Sequence, residues 1–240
     1  MSRMQRWNRF LTLPFARRHL VFAGIVTATL MMACNNYSLL EKLESPGGSS
    51  SGPIKLSFFV HEVVTVGDMS NLVNGGCSGN GIQRADCACQ DKAAGANLLK
   101  STGSKYIAWL SDATNDMTCR IQDRYAQLAC TPPSTAIEWY TTTGQLVASS
   151  YAQLFSGALS APVSYSASGT SIPGGTNVWT GTTIIGNNNG GTPAMNCSNW
   201  TVNVSQTGLG GTTGSATTTW TNSGSPSCSS SAYVLCIGIK

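Results

Sequence analysis

The sequence predicts an α+β domain in which short antiparallel strands surround one main helix and disulfides staple the whole. Three observations carry this. Residues 85–99 hold the one long stretch with helical apolar spacing. Elsewhere, short apolar or β-branched runs alternate with turns rich in Gly, Asn, Ser and Thr. Nine cysteines are set in a background that buries too little apolar area to hold without cross-links.

Taken in order, the chain opens with an export leader, residues 1–33. Residues 1–19 are Arg-rich and free of acids, and residues 20–33 are mostly apolar. This is too short for a membrane-spanning helix and fits a secretory signal. It ends Leu30-Met31-Met32-Ala33-Cys34, a small residue followed by cysteine, like the lipobox whose cysteine is diacylated after cleavage. Ordinary cleavage leaving a free Cys34 is the alternative, and Arg17-Arg18 is a weaker pointer to twin-arginine export. Residues 34–53, including Ser45-Pro46-Gly47-Gly48-Ser49, have nothing to bury and read as a flexible, lipidated tether.

Residues 54–240 form the predicted domain. Residues 54–60 read as the first strand, with His61 just after it. Residues 67–84 read as a Gly-rich loop without the Lys-Ser/Thr of a phosphate cradle. In the helix over 85–99, Ala85, Cys89, Ala93 and Ala96 share a face. Cys87 lies roughly 200° around the axis from Cys89, so the two need different partners. Residues 106–110 read as a buried strand and 119–128 as a short helix. Residues 137–140 and 145–148 form a hairpin around Thr143-Gly144, and 151–155 one helical turn. Short strands follow between Gly/Asn/Ser turns, and the last strand runs over 233–239.

The formal charge of +4 belongs to the leader: five of the 14 Lys+Arg are Arg3, Arg6, Arg9, Arg17 and Arg18. From Cys34 onward the balance is about −1, which gives nucleic acid nothing to bind. Between Trp139 and Ile239 there is no charged residue and no histidine. His61 is the only imidazole left after cleavage, so the base that hydrolytic catalysis needs beside a nucleophile is not evident, and no enzyme is expected. No CxxC pair exists to hold zinc, and no metal or other cofactor is expected. An odd cysteine count is unexpected in an exported protein. Assigning Cys34 to lipid leaves eight, enough for four bridges, but eight cysteines allow about a hundred pairings and spacing alone does not choose.

The ordered segments Ala85-Asp86-Cys87-Ala88-Cys89-Gln90, Ala108-Trp109-Leu110-Ser111-Asp112, Val178-Trp179-Thr180-Gly181-Thr182, Cys197-Ser198-Asn199-Trp200-Thr201, then Trp220, Cys228 and Tyr233-Val234-Leu235-Cys236, resemble a known domain. It is the endostatin-like domain of bacterial surface lipoproteins, best known from leptospiral adhesins, and the likeness covers residues 56–240. The resemblance implies a C-type lectin-like fold and a nested bridge pair, Cys89–Cys236 around Cys197–Cys228. Locality then pairs Cys77 with Cys87 and Cys119 with Cys130. The extra cysteines Cys77, Cys87, Cys119 and Cys130 depart from the family.

The resemblance also implies an outer-membrane, surface-facing adhesin for extracellular-matrix or plasma proteins: laminin, fibronectin, plasminogen, fibrinogen or complement regulators. A calcium-independent carbohydrate-binding module and a structural envelope lipoprotein without a host ligand are the alternatives. The calcium site of lectins with this fold is not expected, because the half of the chain that would supply its carboxylates has none. Trp109, Trp179, Trp200 and Trp220 read as core, whereas Trp139-Tyr140 is more open to partner binding. Lys240, the last residue and the only charge after Glu138, offers the paired ammonium and carboxylate that plasminogen kringles capture.

Overall fold

A computed structural model describes residues 52–72, 76–99, 104–186 and 195–240. The leader, Cys34 and the tether up to residue 51 lie outside the described residues.

Seven strands make one mixed sheet: β1 (Ile54–Thr65), β2 (Lys105–Ala108), β3 (Ile137–Tyr140), β4 (Leu146–Ala148), β5 (Asn177–Trp179), β6 (Gly210–Thr212) and β7 (Ala232–Ile239). The order is β4-β3-β1-β7-β5-β6, with β2 also on β7. β7 is therefore the centre. One of its edges pairs antiparallel with β1, Phe59 opposite Cys236. Its other edge takes β5, parallel, at Tyr233 and Val234, then β2, antiparallel, from Cys236 to Ile239. The sheet is thus not purely antiparallel as expected, since β1–β3 and β5–β7 run parallel.

Both faces of this sheet are covered, which explains the adjacent aromatics Phe58 and Phe59. Successive side chains point to opposite faces. Phe58, Val60, Leu235 and Ile237 enter one core with Trp109, Trp139 and Trp220. Phe59, Val234 and Cys236 enter the other, beneath the helix α1 (Gly81–Gly95) with its Ala85, Cys89 and Ala93. α1 begins four residues before the expected start because Asn80 and Gln83 form a capping box. The Asn80 side chain accepts from Gln83 N–H at 3.0 Å, and Gln83 accepts from Asn80 N–H at 2.9 Å. Residues 81–84 are therefore helix, and within the remaining loop Met69–Leu72 forms a 3-10 turn. Two single-turn helices follow, α2 (Met117–Arg120) and α3 (Tyr151–Leu154), and a second 3-10 turn lies at Thr218–Trp220. α2 is shorter than the helix expected over 119–128.

α1 also protects a sheet edge. The outward N–H groups of β2 are taken by helix side chains: Tyr106 N–H donates to Gln90 Oε1 at 2.7 Å and Ala108 N–H to Asp86 Oδ1 at 2.9 Å. That leaves fewer unpaired donors to invite another chain.

The remaining half has little secondary structure and is tied down by indoles. Trp109 donates to Thr221 Oγ1, Trp139 to the Gly238 carbonyl, Trp179 to the Thr65 carbonyl and Trp200 to the Ser111 carbonyl, all at 2.9–3.0 Å. Each bond joins segments far apart in sequence, so the rings act as ties as well as core. Gly181 shows why Trp179-Thr180-Gly181 needs glycine: its φ is +55°, and a Cβ there would sit 2.3 Å from the Ser111 carbonyl oxygen. Cys197, Ser198, Asn199 and Trp200 form a left-handed turn with φ from 50° to 63°. Such a turn costs about 1–2 kcal/mol per residue, and here a disulfide, the Trp200 indole bond and the Asn196 cap on Asn199 N–H hold it.

Candidate functional site

The four expected disulfides are all present: Cys77–Cys87, Cys89–Cys236, Cys119–Cys130 and Cys197–Cys228, with Cα separations of 5.0–5.8 Å. Cys89–Cys236 locks α1 to the central strand, and Cys197–Cys228 closes the irregular half. Each of the two short bridges closes one loop. Cys77, Cys87 and Asp91 place three potential metal-ligand atoms within 4.8 Å of one another, but two of them are disulfide sulfurs and not thiolates.

Trp139 is a correction to the binding expectation. It is 0 % exposed, its ring meets Tyr151 edge-on at 5.0 Å, and its indole bonds β7. Alternation on β3 sends Trp139 inward and leaves only Tyr140 half-exposed. The Tyr140 hydroxyl donates to Glu138 at 2.6 Å, which pushes its pKa up, and Lys55 Nζ lies 5.5 Å from the ring centre. Lys240 is exposed on the rim of a cleft floored by Ile54, Ile121, Ile137 and Tyr151.

His61 is also placed differently from the expectation of a residue just past the strand. β1 runs on to Thr65 and buries His61, 2 % exposed, inside it. Its Nδ1 accepts from Val63 N–H at 3.3 Å. Burial, and then the charge of Lys92, hold its pKa below the ordinary 6.5, so the ring is neutral near pH 7. Beside it Lys92 reaches from α1 to Glu62 at 2.6 Å and holds that carboxyl below its ordinary range. His61, Glu62 and Lys92 line a 420 Å³ cleft between β1 and α1, closed on another side by Ala167 and Ser168. The volume suits a small ligand.

A second cluster, around Arg120, was not expected. The Arg120 guanidinium is fully buried, donates to the carbonyls of Ala108 (2.8 Å) and Leu110, and pairs with Asp86. Burial works against its charge, but Asp86 and Tyr125 favour it and its pKa is raised. The Tyr125 hydroxyl donates to Asp86 at 3.0 Å, and burial followed by the Asp86 charge pushes its pKa up to about 12. This cluster clamps α1, β2 and α2 together; its groups are already bonded to one another and leave none poised for proton transfer.

Compared with known proteins, the chain matches no family model and no curated protein.

Proposed function

We propose that this chain is an exported lipoprotein of the endostatin-like type, anchored through Cys34, whose C-type lectin-like domain binds extracellular-matrix or plasma proteins at the cell surface. The observation that carries the reading is the pairing of all eight cysteines that follow Cys34. Four disulfides belong to an oxidising compartment and leave Cys34 as the one cysteine free for lipid.

The placement of the bridges supports the fold part. First and last strands pair side by side, one bridge joins the helix to the last strand, and another lies within its span. The described residues between Tyr140 and β7 are mostly loop with neutral hydroxyl and amide side chains, a surface suited to adaptable hydrogen bonding with protein partners. A carbohydrate module needs an exposed aromatic platform, and Trp109, Trp139, Trp179, Trp200 and Trp220 are all buried, so protein binding is the better-supported reading.

The test is a panel of immobilised laminin, fibronectin, plasminogen, fibrinogen and a complement regulator, probed with oxidised and reduced protein. Saturable binding to at least one, lost on reduction, is expected; no binding to any overturns the adhesion reading. Plasminogen binding that is sensitive to a lysine analogue and lost on deleting Lys240 assigns that residue. Protease treatment of intact cells removes the domain if it faces outward, and leaves it if it is a periplasmic envelope protein.

A further inference from the structure

The cleft between β1 and α1 has the parts of a ligand site that the adhesion reading does not use. With Nδ1 of His61 accepting from Val63, the proton of the neutral ring sits on Nε2. Among the described residues that N–H has no hydrogen-bond partner, and His61, only 2 % exposed, lines the cleft. Glu62 and Lys92 pair with each other at 2.6 Å. Asp91 remains: its recorded polar neighbour is the Cys77 sulfur at 3.7 Å, a disulfide atom with no proton to give. Asp91 is exposed on the rim, one turn of α1 from Ala88. Apart from the Glu62–Lys92 pair and Ser168, the rest of the lining is small or apolar, with Leu72, Ala88, Ala96 and Ala167.

We propose that this cleft binds a small organic cation, an alkylammonium that also carries a carbonyl. The ammonium pairs with the Asp91 carboxylate, the aliphatic segment lies on the alanines and Leu72, and the carbonyl accepts from His61 Nε2–H. An anion is disfavoured because the lining carries two carboxylates, Glu62 and Asp91, against the single ammonium of Lys92. The same chemistry is presented by a free amine and by a lysine side chain on another protein.

The probe is Nα-acetyl-lysine N-methylamide, titrated into ¹⁵N-labelled, oxidised full-length protein, with the norleucine analogue as the uncharged control. Saturable shifts are expected in the amides of residues 88–96 and in the His61 ring nitrogens. Binding of the norleucine analogue, or of the probe to Asp91→Asn, should weaken at least about tenfold, the worth of one charged hydrogen bond. Asp91 is exposed, and an otherwise unchanged spectrum verifies that the variant is folded. No saturable shifts, equal binding by Asp91→Asn, or shifts confined to another surface overturn the proposal. Displacement of the bound probe by native but not lysine-acetylated serum albumin assigns the site to protein-borne lysine; displacement by neither assigns it to the free amine.

Discussion

Replacing Cys89 and Cys236 together by alanine removes the bridge that spans 147 residues. In the chain-entropy treatment, opening a loop of that length costs about 5 kcal/mol, whereas the 10-residue loop closed by Cys77–Cys87 accounts for about 2.7 kcal/mol. Both sulfurs of the long bridge belong to residues with no exposure, so the alanines also leave small voids and the loss should not fall below the entropic figure. For a domain of this size each kcal/mol moves the melting temperature by about 2–4 °C. The long-bridge variant should therefore melt about 10–20 °C lower than the wild type, and the short-bridge variant about 5–10 °C lower. Thermal and denaturant unfolding of the two oxidised variants side by side measures this directly. If Cys89→Ala/Cys236→Ala is no less stable than Cys77→Ala/Cys87→Ala, the long bridge is not what holds α1 to the central strand.

Two buried ionisable side chains, Arg120 and His61, can be tested in the same way. Arg120→Ala leaves the Asp86 carboxylate without its cation and should cost about 3–5 kcal/mol in denaturant unfolding; a loss under about 1 kcal/mol would mean that the pair clamps nothing. His61 has a folded pKa below its ordinary 6.5, so below pH 6.5 the unfolded chain binds more protons than the folded one. Its contribution is complete above pH 6.5 and is lost as pH falls toward the folded value, with a slope of up to about 1.4 kcal/mol per pH unit. The charges facing it are Lys92 and Glu62, and Glu62 titrates lower because Lys92 holds it there. His61→Gln should flatten the slope in that window, and an unchanged slope would place its origin elsewhere.

The elements that were legible in the sequence are those whose signal is local. The apolar period of α1, the Thr143-Gly144 hairpin and the last strand are each written within a dozen residues. Asn80 and Gln83 already spelled the capping box in sequence, but the glycines around them read as loop and hid the true start of α1. The sequence makes β1 look too short because His61-Glu62 resembles a polar break, although Val63, Val64 and Thr65 continue the β-branched run; the strand passes the break with a register shift between His61 and Thr65. The parallel pairing of β1 with β3 brings together residues more than eighty apart, and no single crossover helix marks it. The buried Arg120 and the His61 cleft were illegible for the same reason: each depends on α1 docking against β1 and β2, and no spacing within one segment encodes it. Trp139 misleads because burial on a short strand depends on which face the sheet covers: at β3 the face of Ile137 and Trp139 packs into a core, and the face of Glu138 and Tyr140 stays half-exposed.

The proposed function requires eight cysteines sealed in pairs and a ninth, Cys34, carrying lipid. Intact-mass and peptide mass spectrometry of the mature, non-reduced protein, after thiol alkylation, tests it in one measurement. The predicted result is no alkylation at the eight, the four pairings named above, and an N-terminal Cys34 carrying a diacylglyceryl group. An alkylated thiol among the eight, or a mature chain in which residue 34 is unmodified, would contradict it.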